Sequence, residues 1–229
     1  MEPERSDFNP RGWRIFHSVN YVFGAITFLF GSLLLFPYFS TIFDSALISA
    51  WLYTIGSFTF TIADFTEWTH YEKKALCNKT VPCCKWPSLS FNFFISLTGS
   101  FIYLVGSALF IPSINKLEIG LYLFIAGSAC IIFSQTWKVI RVVVDGSQKK
   151  KICATIQDDT NGFIVDILAG IGGVCYFTGS ILFFNPSPKF QIMAAAVFSC
   201  GGFFFYLSGA FMINRYFLSN KKYEGVVSV

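Results

Sequence analysis

Six apolar runs, at about 18–37, 46–66, 91–112, 118–138, 163–184 and 191–213, alternate with shorter polar stretches along the chain. Each run is long enough to cross a bilayer, because about 20 residues of helix span about 30 Å of hydrocarbon. The runs are continuously apolar and do not alternate residue by residue, which excludes a membrane β-barrel. A Gly-Ser phrase recurs inside them: FLFGSLLLFP at 28–37, YLVGSALFIP at 103–112 and YFTGSILFFNP at 176–186. Gly31 and Gly106 are 75 residues apart, and Gly106 and Gly179 are 73 apart. A second glycine precedes each by seven residues, and Gly56, Gly127 and Gly202 follow in the next run. This periodicity predicts an all-α membrane protein of six transmembrane helices, arranged as three tandem helical hairpins.

The spacing of seven returns a residue to nearly the same helix face, with a drift of about 20°. It recurs in all six runs: Gly24 and Gly31; Ser49, Gly56 and Ala63; Gly99 and Gly106; Gly120, Gly127 and Ser134; Gly172 and Gly179; Ala195, Gly202 and Gly209. In lipid there is little hydrophobic drive between helices, so association depends on close backbone approach along small residues and on hydrogen bonds. These positions are therefore expected to pack helices. Ser32, Ser57, Ser107, Ser128 and Ser180, each beside a repeat glycine, are expected to bond back to their own helix or across the seam. Pro37, Pro112 and Pro186 mark three equivalent turns, since proline cannot continue the helical ladder.

Composition agrees with a membrane location: 54% of the 229 residues are hydrophobic and 13% charged, against about 25% charged in soluble domains. Fifteen Lys and Arg fall on one face of the six-span arrangement, and two, Lys116 and Lys189, on the other. The positive-inside rule then puts both termini and the two longer loops in the cytosol, in a plasma membrane or endomembrane. The net charge of +4 is read as topology, and no nucleic-acid partner is expected. The expected organisation is an N-terminal segment over 1–17 and repeats over 18–72, 91–141 and 163–217. Loops over 73–90 and 142–162 separate the repeats, and a tail covers 218–229.

Candidate chemistry is sparse. Asp64 and Glu67, with His70 or Tyr71, share one helical face near the cytosolic end of the second run. Acids at a helix C-terminus oppose the macrodipole, so this pair is a candidate ion or proton site. Its plainer reading is an interfacial cluster balanced by Lys73 and Lys74. Asn20, Asn92 and Asp166 near the starts of the first helices are candidates for interhelical bonds or a polar vestibule, with capping or solvation as the plainer account. Cys77, Cys83 and Cys84, close to the membrane, are candidates for acylation. Asn78-Lys79-Thr80 is a glycosylation acceptor only on a lumenal loop, which the charge distribution contradicts. Lys149 to Lys151 suit anionic headgroups, and Tyr223 to Val226 has the form of a sorting signal. No nucleotide, hydrolase or metalloprotease motif is present, so neither enzymatic activity nor a cofactor or metal is expected.

The pattern aromatic-x-x-Gly-Ser-x-Leu-Phe, a short turn and a second apolar helix with its own Gly-Ser, as in LYTIGSFTF and YLFIAGSACIIF, resembles the YrhK-like family of small two-helix membrane domains. The resemblance covers Asn20 to Trp68 and Asn92 to Trp137, while the third copy, Asp166 to Phe217, carries Cys200-Gly201-Gly202 where Gly-Ser is expected. It implies the architecture and no site. Two functions fit the sequence: a scaffold or complex subunit, with membrane-protein partners or copies of itself joined through the glycine seams, and a small transporter or channel with an acidic cytosolic mouth at Asp64 and Glu67. The lipid bilayer is the partner common to both.

Overall fold

A computed structural model describes residues 10–77, 89–148 and 159–218, with the side chains of 71–77, 89–90, 142 and 144–148 excepted. Six long helices carry the described chain: α1 Arg11–Leu33, α2 Ser45–Cys77, α3 Leu89–Leu109, α4 Leu117–Gln148, α5 Thr160–Phe183 and α6 Pro188–Ile213. All six are long and apolar enough to cross a membrane. No strand occurs among the described residues. A short π-helical turn, Asn214–Leu218, continues α6.

Proline sets the turns. Phe36 and Ile111 are extended ahead of Pro37 and Pro112, because the proline ring excludes helical backbone from its predecessor. A one-turn helix, Pro37–Ser40, and a 3-10 turn, Pro112–Ile114, then lead to α2 and α4. In the third copy Pro188 opens α6 at its first position, where the missing N–H costs nothing. We call this the turn end, and the opposite end, which carries residues 10 and 218, the basic end.

Several boundaries differ from the apolar runs: α1 already starts at Arg11, inside the stretch expected as an N-terminal segment, and ends at Leu33. Helix α2 continues to Cys77 and α4 to Gln148, so the stretch from 142, expected as loop, begins as helix. Apolar length measures bilayer thickness and not helix length, and Glu, Lys, Arg and Gln sustain a helix outside lipid. Helix α5 starts at Thr160, where the Asp159 carboxylate caps it by accepting the Gly162 N–H at 3.0 Å. The extension of α2 also leaves Asp64 thirteen residues from the helix end, which removes the macrodipole argument for it.

Each helix packs against its neighbours in sequence, and α6 packs against α1, so the six close a ring. Every seam is antiparallel. Within the repeats, Gly24 lies on Gly56 and Gly31 on Ser49; Gly99 lies on Gly127 and Gly106 on Gly120; Gly172 lies on Gly201 and Gly179 on Phe198. Between repeats, Ser57 meets Ser107 and Asp64 meets Ser96; Gly173 lies on Ile131; Gly202 and Gly209 lie on Leu29 and Val22 of α1. The hairpins of the sequence do not stand apart as packing units.

These neighbours correct the alignment of the third copy. Gly56 packs on Phe28, Gly127 on Tyr103 and Gly201 on Tyr176, so Gly201 and not Gly202 is the third counterpart. Each second helix thus carries two adjacent stripes, the first of small residues throughout and the second including larger ones, such as Leu121 and Gln135 in α4. One faces its own hairpin partner, as with Ser49, Gly56 and Ala63. The other faces the next repeat, as with Ala50, Ser57 and Asp64. In α6 the second stripe is Ala195, Gly202 and Gly209, and it closes the ring on α1.

The ring is filled by aromatic side chains in pseudo-threefold positions. Phe28, Tyr103 and Tyr176 stand three residues before the first-helix glycines, and Tyr53, Phe124 and Phe198 three before the second-helix ones. All six are buried. Edge-to-face pairs lock Phe28 to Tyr53 at 5.1 Å and Tyr103 to Phe124 at 4.6 Å, while Tyr176 and Phe198 lie tilted at 5.4 Å. The phenols are satisfied by the phrase serines: Ser32 Oγ lies 2.8 Å from the Tyr53 hydroxyl and 2.9 Å from that of Tyr176, and Ser128 Oγ lies 2.5 Å from that of Tyr103. Ser32, Ser107, Ser128 and Ser180 also donate to the carbonyl four residues earlier, so both expected kinds of serine bond occur.

Candidate ion site at the basic end

Towards the basic end the filling changes from aromatic to polar. The last membrane turns of α2 carry Asp64 and Glu67, one helical turn apart. From α4, Lys138 extends its ammonium to 3.9 Å from Glu67 Oε2 and 3.7 Å from Asp166 Oδ1 of α5. The three side chains keep only 17 to 20% of their surface exposed. Ser96 donates to Asp64 Oδ1 at 3.3 Å, while Ser100, one turn on, donates to the Leu97 carbonyl at 3.1 Å. Lys138 Nζ also lies over the Phe93 ring, 5.4 Å from its centroid. Among the described residues Lys138 therefore bridges Glu67 and Asp166, and Asp64 stands beside Glu67 with the Ser96 hydroxyl as its donor.

The repeat explains the arrangement. Glu67 and Lys138 are counterparts, each eleven residues after its second-helix glycine, and the third counterpart is the buried Met212. The pseudo-symmetry thus brings an acid and a base to equivalent places, where they pair. Gln135 is the counterpart of Asp64, and Gly209, not Ala210, is the third. Where Asp64 has Ser96 and Ser100 before it, Gln135 has Ala169 and Gly173 in the equivalent positions. Its Oε1 accordingly finds no hydrogen-bond partner among the described residues, nor do the two amide atoms of the buried Asn92.

A second cluster closes the ring at this end. The Trp13 ring stacks on His17 at 4.9 Å and on His70 at 4.6 Å, and the Tyr216 hydroxyl lies 3.4 Å from His17 Nδ1. Arg14 donates to the Tyr216 carbonyl at 3.3 Å, and Arg215 pairs with Asp159. These contacts tie the start of α1 to α2 and to the end of α6.

Sequence candidates are thereby sorted. Asp64 and Glu67 do come together, with Lys138 beside them; the side chains of Lys73 and Lys74 lie outside the described residues. His70 belongs to the tryptophan stack, while the side chain of Tyr71 lies outside the described residues. Asn20 turns back on its own helix, donating to the Phe16 carbonyl at 2.8 Å, and so contributes nothing to the site. Asp166 joins the cluster. Sequence reasoning does not single out His17, nor Lys138, which reads as a flanking topology charge; the equivalence of Lys138 to Glu67 is the signal that marks it. Cys83, Cys84, the Asn78 acceptor, Lys149 to Lys151 and the Tyr223 motif lie outside the described residues, as does the side chain of Cys77. No group of three metal-ligating side chains is present among the described residues.

The model of the YrhK-like protein family matches residues 11–66, which span α1 and the apolar part of α2 as far as two residues past Asp64. No curated protein and no solved structure shows a significant match to the chain. The chain is thus a six-helix membrane protein whose α1 and α2 contain a YrhK-like segment.

Proposed function

We propose that the protein is a small transporter that takes up a proton at the Lys138 cluster from the basic end. The observation that carries this reading is the enclosure of Glu67 and Asp166 around Lys138, with the Asp64 carboxylate one helical turn from Glu67 and bonded to the Ser96 hydroxyl. Charges in this setting are costly unless neutralised, and a proton shared among the carboxylates neutralises them with no ligand cage. The two amide atoms of Asn92 and Oε1 of Gln135, without partners among the described residues, add hydrogen-bonding capacity near the same end. The aromatic layer around Phe28, Tyr53 and Tyr176 fills the bundle towards the turn end, so passage requires that layer to repack.

The scaffold reading relied on the glycine seams for association. Those glycines pack helices of the same chain, so a partner would instead meet the outer face, which is rich in Phe and Ile. The test is proton flux into vesicles containing the purified protein and an internal pH dye, under an imposed potassium diffusion potential. Wild-type protein is expected to carry flux above that of empty vesicles, and Asp64→Asn with Glu67→Gln to abolish it while the protein stays monodisperse. Flux equal to that of empty vesicles, or unchanged in the double variant, rejects the reading.

A further inference from the structure

The turn end holds a cavity of about 280 Å³, between the start of α2, the end of α3 and the start of α4. Ala46 and Ala50 line one wall, Leu109 and Phe110 the other, and Leu121 and Phe198 the interior. Its polar lining residues are Asn115 and Lys116 at the mouth and Ser49 inside, and Ser49 already donates to the Gly31 carbonyl at 2.7 Å, so the interior asks for no polar ligand. The repeat shows why the gap is here. The counterparts of Ala46 and Ala50 in α4 are Leu117 and Leu121, whose larger side chains occupy the equivalent positions. In α6 the counterpart of Ala46 is Gln191, which bonds to the carbonyls of Phe183 and Asn185 at 3.0 and 2.7 Å and seals that turn. At the Ala46 position the first repeat thus leaves open what the other two fill, whereas the counterpart of Ala50 in α6, Ala195, is equally small.

The rim is set by backbone geometry. Asn115 adopts the left-handed conformation, φ 52°, which ends the 3-10 turn and brings Lys116 to the mouth. Lys116 is exposed and, with Lys189 in the first turn of α6, is one of two Lys or Arg residues at the turn end. The mouth lies where α3 ends and α4 begins, at the level at which spanning helices leave the hydrocarbon. Ala46 and Leu117 beside it face outward. An apolar slot open at that depth, with a cation at its rim, suits a chain that has an apolar tail and a negative head. Its volume, just below the usual range for small-molecule pockets, suits one chain and not a fused-ring ligand.

We propose that this cavity binds an acyl chain of an anionic phospholipid from the surrounding bilayer, with the headgroup held at Lys116. The inference stands apart from the proton site, which lies at the other end of the bundle.

The experiment uses full-length protein in phosphatidylglycerol or phosphatidylcholine vesicles, each carrying a trace of the same lipid with a diazirine at the acyl terminus. After irradiation, adducts are mapped by peptide mass spectrometry. In phosphatidylglycerol, adducts are expected on Leu121 and Phe198, both buried from bulk lipid, as well as on outward residues such as Phe58 and Phe101. Ala46→Phe, at an exposed position that spares the core, is expected to remove the Leu121 and Phe198 adducts and keep the outward ones. Lys116→Gln is expected to lower the preference for phosphatidylglycerol over phosphatidylcholine about fivefold, the factor one interfacial lysine contributes. Absence of adducts on Leu121 and Phe198 in wild-type protein, their persistence in Ala46→Phe, or equal labelling by the two lipids overturns the proposal.

Discussion

A Cβ added to Gly202 would stand 2.6 Å from the Cα of Leu29, closer than any side-chain adjustment can relieve. This contact joins the last helix to the first and closes the ring. At Gly170, by contrast, the nearest atom to an added Cβ is Gln135 Cβ at 3.5 Å, an ordinary contact. Gly202→Ala is therefore expected to lower stability by about 1 to 3 kcal/mol, the usual cost of overpacking, and Gly170→Ala to change it little. Thermal melting of the two variants in the same detergent checks this, and equal melting temperatures would contradict the closed ring.

The Lys138 cluster predicts an asymmetric response to charge removal. Lys138→Met leaves Glu67 and Asp166 without their cation, at a cost near the lower end of about 3 to 5 kcal/mol, since the groups remain partly exposed. Adding Glu67→Gln and Asp166→Asn to Lys138→Met should recover much of that loss, because the two groups that lost their cation are then neutral and only Asp64, which keeps its Ser96 donor, retains a carboxylate. The comparison is made by chemical denaturation of the reconstituted protein, and failure of the triple variant to recover would show that Lys138 stabilises through packing alone.

Ser32 joins two phenols from different repeats, Tyr53 and Tyr176. Interhelical hydrogen bonds in membranes contribute about 0.6 kcal/mol on average, so Ser32→Ala is expected to be mildly destabilising. A double-mutant cycle of Ser32→Ala with Tyr176→Phe should show coupling of that order. The pair Ser32→Ala and Ser180→Ala, in which Ser180 donates to the Tyr176 carbonyl, should be closer to additive.

Gln135 gives a prediction of the opposite sign. Its buried Oε1 lacks a partner among the described residues, so replacing the amide by a shape-matched apolar group removes a cost. Gln135→Met is expected to leave the melting temperature unchanged or to raise it, and a loss of several degrees would place a hydrogen-bond donor at that oxygen.

The spanning helices and repeat positions were legible because they depend on local properties: apolar length, a spacing of seven, and proline at the turns. Gly24, Gly31, Gly99 and Gly106 lie in seams as their periodicity required. The third copy was harder, since Gly201 and Gly202 are adjacent and only their neighbours, Tyr176 and Leu29, tell which seam each belongs to. Asp64 and Glu67 were visible as acids on one face. The partner of Glu67, Lys138, comes from another repeat, 71 residues on, and a positive charge near a helix end reads equally well as a topology signal. The polar extensions of α2 to Cys77 and α4 to Gln148 were invisible to apolarity, which stops at the hydrocarbon boundary.

The central claim is that the Asp64, Glu67 and Asp166 carboxylates exchange a proton with the basic side. Infrared difference spectroscopy of the lipid-reconstituted protein, cycled between mildly acidic and neutral buffer, tests it most directly. The account predicts a protonated-carboxyl band that appears reversibly, is isotope-sensitive, and loses intensity in both Asp64→Asn and Asp166→Asn. A difference spectrum with no carboxyl band, or with one unchanged in both variants, would contradict it.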